Sequence, residues 1–188
     1  MRAVSQPAET VLRLALARPA TLGSGRLICI DGPAGSGKTT LASEVHASEP
    51  TATVLHADDL LEGWGGLPGL AATLNGLLRE LAAGRPGRWR RWDWIADGWA
   101  EWHQLSPGGL LVLEGVGTGA AAYADLVTVL VWVEVDRDLR LARGLARDGE
   151  ELRAHWLRWS EQEDRLHAVD RTAERADVRI EGRVGGRG

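Results

Sequence analysis

The chain has 188 residues, 44% of them hydrophobic and 26% charged, with a formal net charge of −4. This suits one domain over residues 1–188: a core over about 26–180, an N-terminal helix and linker over 1–25, and a flexible tail over 181–188. The acidic balance argues against a nucleic-acid or anionic-membrane surface, and no stretch approaches the roughly 20 apolar residues of a membrane span. The lone Cys29 excludes an intrachain disulfide and suits a cytoplasmic setting, with the chain a monomer or homodimer.

Val11 to Ala17 is apolar but short and interrupted by Arg13, which fits an amphipathic helix ending before Pro19 better than a signal peptide. Arg26 to Asp31 is an apolar run that reads as a buried strand, with Cys29 a core residue. A helix over about Lys38–Ser48 follows, closed by Pro50, and Thr51 to His56 reads as a second strand. Leu70, Leu74, Leu77, Leu78 and Leu81 recur at helical spacing. Trp92, Ile95, Trp99 and Trp102 recur at i, i+3, i+7 and i+10, which predicts one buried helix face.

Leu110 to Leu113 and the valine-rich Leu126 to Val135 read as further buried strands. Asp136 can cap a helix running to about Asp148, another helix spans Glu150 to about Val169, and Ala176 to Ile180 is a last short strand. Strands alternating with helices, several of them apolar throughout, predict an α/β fold: a three-layer α/β/α arrangement around a mostly five-stranded parallel sheet.

Between the first strand and its helix lies Gly32-Pro33-Ala34-Gly35-Ser36-Gly37-Lys38-Thr39, a full match to the G-x-x-x-x-G-K-[ST] phosphate loop in its required strand–loop–helix context. Of the 22 basic residues, Lys38 is the only lysine. Arginine presents a wide planar fork, lysine a compact ammonium, so lysine stands where a narrow glycine loop has room only for a point charge. The loop and Thr40 behind it are expected to cradle the phosphates of ATP, with Lys38 bridging the β- and γ-phosphates and the Thr39 hydroxyl on Mg2+. Glu114, at a neighbouring strand end, is the second candidate for the metal. Asp31 is a weaker candidate that can orient the loop.

Asp58 follows the second strand at the same sheet edge and is the candidate base for an acceptor hydroxyl, with Asp59 the runner-up. Six of the nine tryptophans fall between Trp64 and Trp102; Trp64 and Trp94 lie off the helical stripe and are the candidate acceptor contacts. Arg85, Arg88, Arg90 and Arg91 form a basic cluster that is either a solvated loop or a reader of a phosphate already on the acceptor. Arg140, Arg143 and Arg147 share one face of the helix after Asp136, a candidate lid in which Arg143 and Arg147 would neutralise transferring phosphate charge. A GTPase switch is disfavoured, because its guanine-reading Asn-Lys-x-Asp motif needs a second lysine. A nucleotide-binding protein that no longer catalyses stays open as an alternative.

Over roughly residues 26–180 these pieces resemble the uridine kinase and phosphoribulokinase branch of P-loop kinases. Asp58-Asp59-Leu60-Leu61 is similar to that family's Asp-Ser-Phe-Tyr segment, and Leu113-Glu114-Gly115-Val116 to its Phe-Glu-Gly-Ile strand end. Arg143 to Asp148 is similar to its arginine-rich lid, and Ala176-Asp177-Val178 to its Ala-Asp-Val/Ile near the last strand. Trp92-Asp93-Trp94 resembles its Tyr-Asp-Phe element, which implies that Asp93 holds ribose hydroxyls. The resemblance implies an ATP- and Mg2+-dependent kinase with a nucleoside-like acceptor. The aromatic pair after the base is absent and the lid is shorter.

Overall fold

The computed structural model describes residues 5–182. In chain order the elements are α1 (Gln6–Ala17), β1 (Arg26–Asp31), α2 (Lys38–Ser48), β2 (Thr53–His56), α3 (Leu67–Ala82), β3 (Gly87–Asp93), β4 (Gly98–Leu105) and β5 (Leu110–Glu114). They continue as β6 (Val129–Glu134), α4 (Arg137–Asp148), α5 (Arg153–Asp170), α6 (Thr172–Arg175) and β7 (Val178–Glu181), with short 3-10 turns at Ala57–Leu60, Gly63–Gly65, Ala121–Leu126 and Glu150–Leu152.

Five strands form one sheet in the order β2-β5-β1-β6-β7, every pairing parallel. Successive side chains of a strand point to opposite faces, so a strand covered on both sides has to be apolar throughout. Ile28, Ile30, Val112, Val129 and Val131 pack with Ala8, Val11 and Ala15 of α1 and Leu41, Ala42 and Val45 of α2. Leu27, Cys29, Leu111, Leu113 and Leu130 point the other way, onto Leu70, Leu74, Leu77 and Leu78 of α3 and onto Tyr123. The α/β/α arrangement read from the sequence is the one observed.

The caps are as local chemistry dictates. Ser5 precedes α1 and its hydroxyl accepts from the Ala8 N–H at 3.4 Å. The Asp136 carboxylate accepts from the Asp138 and Leu139 N–H groups at 2.9 and 3.3 Å, which starts α4 where the sequence predicts. Among the described residues no helix is long and apolar enough to cross a membrane.

Two expectations are corrected. The tryptophan stripe is not a helix: β3 and β4 form an antiparallel hairpin. Its register shifts between Arg90 and Trp92, an irregularity that, with the four-residue turn, reproduces helical spacing in an extended chain. Trp89 and Trp92 are buried, whereas Ile95 is wholly exposed and Trp102 is 60% exposed with Arg88 stacked over it. Asp97, at φ 50°, and Gly98 close the turn; Asp-Gly between β-formers is the hairpin signal at this point in the sequence. The expected flexible tail also begins too early. Glu181 ends β7, and the Gly182 N–H donates to the Glu134 carbonyl at 2.7 Å. Residues 183–188 lie outside the described residues.

At the end of β1 the wholly buried Asp31 ties two loops together. Its Oδ1 accepts from the N–H groups of Gly32 at 2.6 Å and Gly117 at 2.9 Å, and its Oδ2 from that of Gly119 at 2.8 Å. His167 Nε2 lies 3.2 Å from Oδ1. Asp31→Ala would strand three buried donors, and a buried donor left unpaired costs about 1–3 kcal/mol. The variant is expected to lose at least about 3 kcal/mol, read as a lower urea midpoint at unchanged slope.

Candidate functional site

Parallel pairing puts the loops after β1, β2 and β5 on one edge of the sheet, where ligands of open α/β folds bind. The register is tight: Glu114 lies beside Ile30 on one side and beside His56 on the other. The phosphate loop, the Asp58 segment and the Glu114 segment therefore leave three adjacent strands at the same level.

The loop needs its glycines. Gly32 has φ 142°, and a Cβ there would lie 2.0 Å from the Val133 carbonyl oxygen. Gly37, at φ 103°, turns the chain into α2, whose N-terminus has no side-chain cap. Uncapped N–H groups at the positive end of a helix are a ready anion site. Lys38 is buried and its Nζ donates to the Pro33 carbonyl at 3.0 Å.

Thr39 Oγ1 donates to Glu114 Oε1 at 3.1 Å, and the same buried oxygen meets His56 Nδ1 at 2.6 Å. That hydrogen bond to Glu114 holds the His56 pKa above its ordinary value, against partial burial. Asp58 opens into the cleft and is exposed to solvent there, yet protein encloses it on its other sides. This enclosure pushes the Asp58 carboxyl above the usual aspartate range. Lys38 and Arg147 pull it back down, while Glu114 and Asp59 push it further up.

Lys38, Thr39, Glu114 and Asp58 line one cavity of about 900 Å³, with His56 behind Glu114 and outside the lining. Its wall takes in Ala34, Gly35, Ser36, Gly37, Lys38, Thr39 and Thr40 of the loop, but neither Gly32 nor Pro33. Asp58, Asp59, Glu114, Arg143 and Arg147 line it too, as do Trp64 and Trp94. The Trp94 indole N–H donates to the Asp58 carbonyl at 3.0 Å, and Trp64 sits edge-on to Trp94 with centroids 5.9 Å apart. Trp156 and Trp159 of α5 complete an aromatic wall around Trp64, at 6.1 and 5.8 Å.

The candidate lid arginines divide. Arg143 donates to the Gly35 carbonyl at 3.0 Å, and Arg147 pairs with Asp148 at 2.6 Å while lying over the Trp156 ring. Arg140 turns inward, buried, with its guanidinium 3.4 Å from Glu163.

Asp93 and Arg91 are not among the lining residues. The Asp93 carboxylate accepts from the Ile95 and Ala96 N–H groups at 3.0 and 2.9 Å, so it shapes the hairpin turn. Arg91 pairs with Glu101 at 2.7 Å and with Asp93 at 3.2 Å. Arg85 pairs with Glu80, and Arg90 donates to the Ala100 and Trp99 carbonyls. The cluster is held on the hairpin and beside α3, away from the cavity wall.

Four residues were not singled out from the sequence as parts of the site: His56, Trp156, Trp159 and Glu163. Glu163, wholly buried, accepts from the Ala34 N–H of the phosphate loop at 2.7 Å. The signal was available in the spacing, since Trp156, Trp159 and Glu163 stand at i, i+3 and i+7 of a predicted helix.

No family model matches the sequence, and a search of curated proteins finds no match. Solved structures do resemble it. A possible uridine kinase from Bacillus stearothermophilus superposes with a TM-score of 0.64 at 21% identity, covering 93% of this chain and 97% of that one. A protein described as a candidate fructose transport system kinase, from Silicibacter sp. TM1040, gives 0.56 at 20% identity, covering 93% and 98%. TT1252 from Thermus thermophilus gives 0.51 at 18%, covering 86% and 90%. At these identities the likeness speaks for the fold alone, the parallel α/β fold that this chain shares with these solved structures.

Proposed function

We propose that the chain is an ATP-dependent kinase that transfers the γ-phosphate to a hydroxyl of a small, unphosphorylated acceptor with a nucleoside-like body. The observation that carries this reading is that the Asp58 carboxyl faces the same cavity as Lys38 and the Thr39–Glu114 pair. A bare nucleotide-binding protein has no use for a base at that point. Ser36 Oγ is buried with no hydrogen-bond partner among the described residues, the kind of donor that a phosphate oxygen satisfies. The acceptor end of the cavity offers tryptophans and carboxylates, and its arginines come from α4 beside the phosphate loop. The Arg85–Arg91 cluster, the candidate reader of an acceptor phosphate, is engaged elsewhere, which favours an unphosphorylated acceptor.

Thr39 Oγ1 and the Glu114 carboxylate are hard oxygen donors 3.1 Å apart, and they would hold Mg2+, which when bound neutralises phosphate charge. Lys38 and Arg143 add positive charge where negative charge develops on the transferred group. Asp58 takes the proton as the acceptor oxygen bonds to the γ-phosphorus and the bond to the ADP oxygen breaks. Its raised pKa suits that work, because a base closer to neutrality accepts a proton more readily.

Purified protein with ATP, Mg2+ and panels of nucleosides, nucleotides and sugars, scored by ADP release, tests the reading. ATP binding without acceptor-dependent release from any panel would leave a non-catalytic binder. In Asp58→Asn, kcat is expected to fall about 10²-fold or more with ATP affinity nearly intact. Because the base acts deprotonated, wild-type kcat is expected to rise with pH along a limb centred above the ordinary aspartate value of about 3.9. That limb disappears in the Asn variant. Lys38→Arg keeps the charge but not the shape, and is expected to lose ATP binding or turnover, as calorimetry and steady-state kinetics would report.

A further inference from the structure

One face of α5 meets both halves of the cavity. Trp156 and Trp159 stand in the aromatic wall, and Glu163, one turn on, reaches the phosphate loop. Glu163 Oε1 accepts from the Trp159 indole N–H at 2.6 Å and from the Ala34 N–H at 2.7 Å. Oε2 faces the Arg140 guanidinium at 3.4 Å, and Arg140 also donates from Nε to the Val135 carbonyl at 3.2 Å. The lid helix touches the loop at the same place: a Cβ on Gly35 would lie 3.0 Å from the Arg140 carbonyl oxygen.

A carboxylate with no exposed surface is an expensive way to fill a core, and apolar residues of similar volume are often as stable or better. Packing does not account for it. What a carboxylate does that a methionine cannot is hold a peptide N–H of the loop and an indole of the wall on one oxygen. Group transfer depends on such registration, since a shift of about 1 Å between donor and acceptor can cost around 10²-fold in rate.

We infer that Glu163 is a positioning residue: through Ala34 it fixes the phosphate loop against the tryptophan wall of its own helix, so that donor phosphate and acceptor hydroxyl are held in line. This rests on the kinase reading above. Glu163 touches neither substrate; it acts through the loop and through Trp159. Its loss is therefore expected in kcat far more than in acceptor KM.

Three variants test this. Arg140→Met with Glu163→Met removes the buried pair together and leaves Ala34 without its acceptor. Arg140→Met with Glu163→Gln removes the charge but keeps an amide oxygen in its place. Glu163→Asp keeps the charge beside Arg140 and shortens the reach to Ala34 by one methylene. Thermal melting, calorimetry with Mg·ATP and acceptor-dependent ADP release are measured on each.

The Gln double variant is expected to turn over at least about 10-fold faster than the Met double variant at comparable melting temperature, with acceptor KM within about 3-fold. Glu163→Asp is expected to fold and to lose kcat by about 10-fold, which decides the matter should the Met pair fail to fold. Equal kcat in the two double variants, wild-type kcat in Glu163→Asp, or a change confined to acceptor KM would overturn the inference. A wild-type chain that binds no Mg·ATP would remove the kinase reading and this inference with it. Wild-type binding and turnover with indifferent variants would remove the inference alone.

Discussion

A phosphate loop has to present backbone N–H groups that the protein itself leaves unpaired, and an unpaired donor in a folded protein is costly. The structure resolves this by dividing the loop. Its first half is held from behind by buried carboxylates, Asp31 on the Gly32 N–H and Glu163 on that of Ala34. Its second half, from Gly35 into the uncapped start of α2, faces the cavity. The first half is rigid so that the second can be open. Both acids come from elements that also touch the rest of the site: Asp31 reaches the loop behind Glu114, and Glu163 rides on the helix that carries two wall tryptophans.

The parallel sheet contributes level ground. With β5 between β1 and β2, the residues Ile30, Glu114 and His56 lie side by side, and the three loops beyond them need not stretch to meet. Such strands are apolar on both faces, so all the chemistry moves to their ends. The helices that cover the sheet then contribute through whichever face meets that edge, as α4 does with Arg143 and α5 with Trp156, Trp159 and Glu163.

This explains what was legible in the sequence. The strands were visible because burial on both faces leaves continuous apolar runs, and the phosphate loop because its spacing is set by backbone geometry. Asp58 and Glu114 stood out by position, as acids at strand ends, and by likeness to family segments. The hairpin was hidden because an irregularity near Arg91 and a four-residue turn placed Trp92, Ile95, Trp99 and Trp102 at helical intervals, although Asp97-Gly98 marked the turn. Asp93 was drawn toward the acceptor by likeness to a family element and Arg91 by its place in an arginine cluster, whereas their side chains close the turn and pair along the hairpin. Glu163 was hard to see for another reason. A buried acid on an otherwise amphipathic helix is defined by partners far away in sequence, here Ala34 and Arg140.

The near absence of lysine has a practical side. Lys38 carries the chain's one ε-amine, held against the Pro33 carbonyl inside the loop. Apart from the α-amine, reductive methylation with isotope-labelled formaldehyde can therefore mark a single side chain, and that side chain stands where phosphates would arrive. One dimethyl-amine resonance then reports on the loop without the overlap that a lysine-rich surface creates, which makes this protein its own sparsely labelled spectroscopic sample.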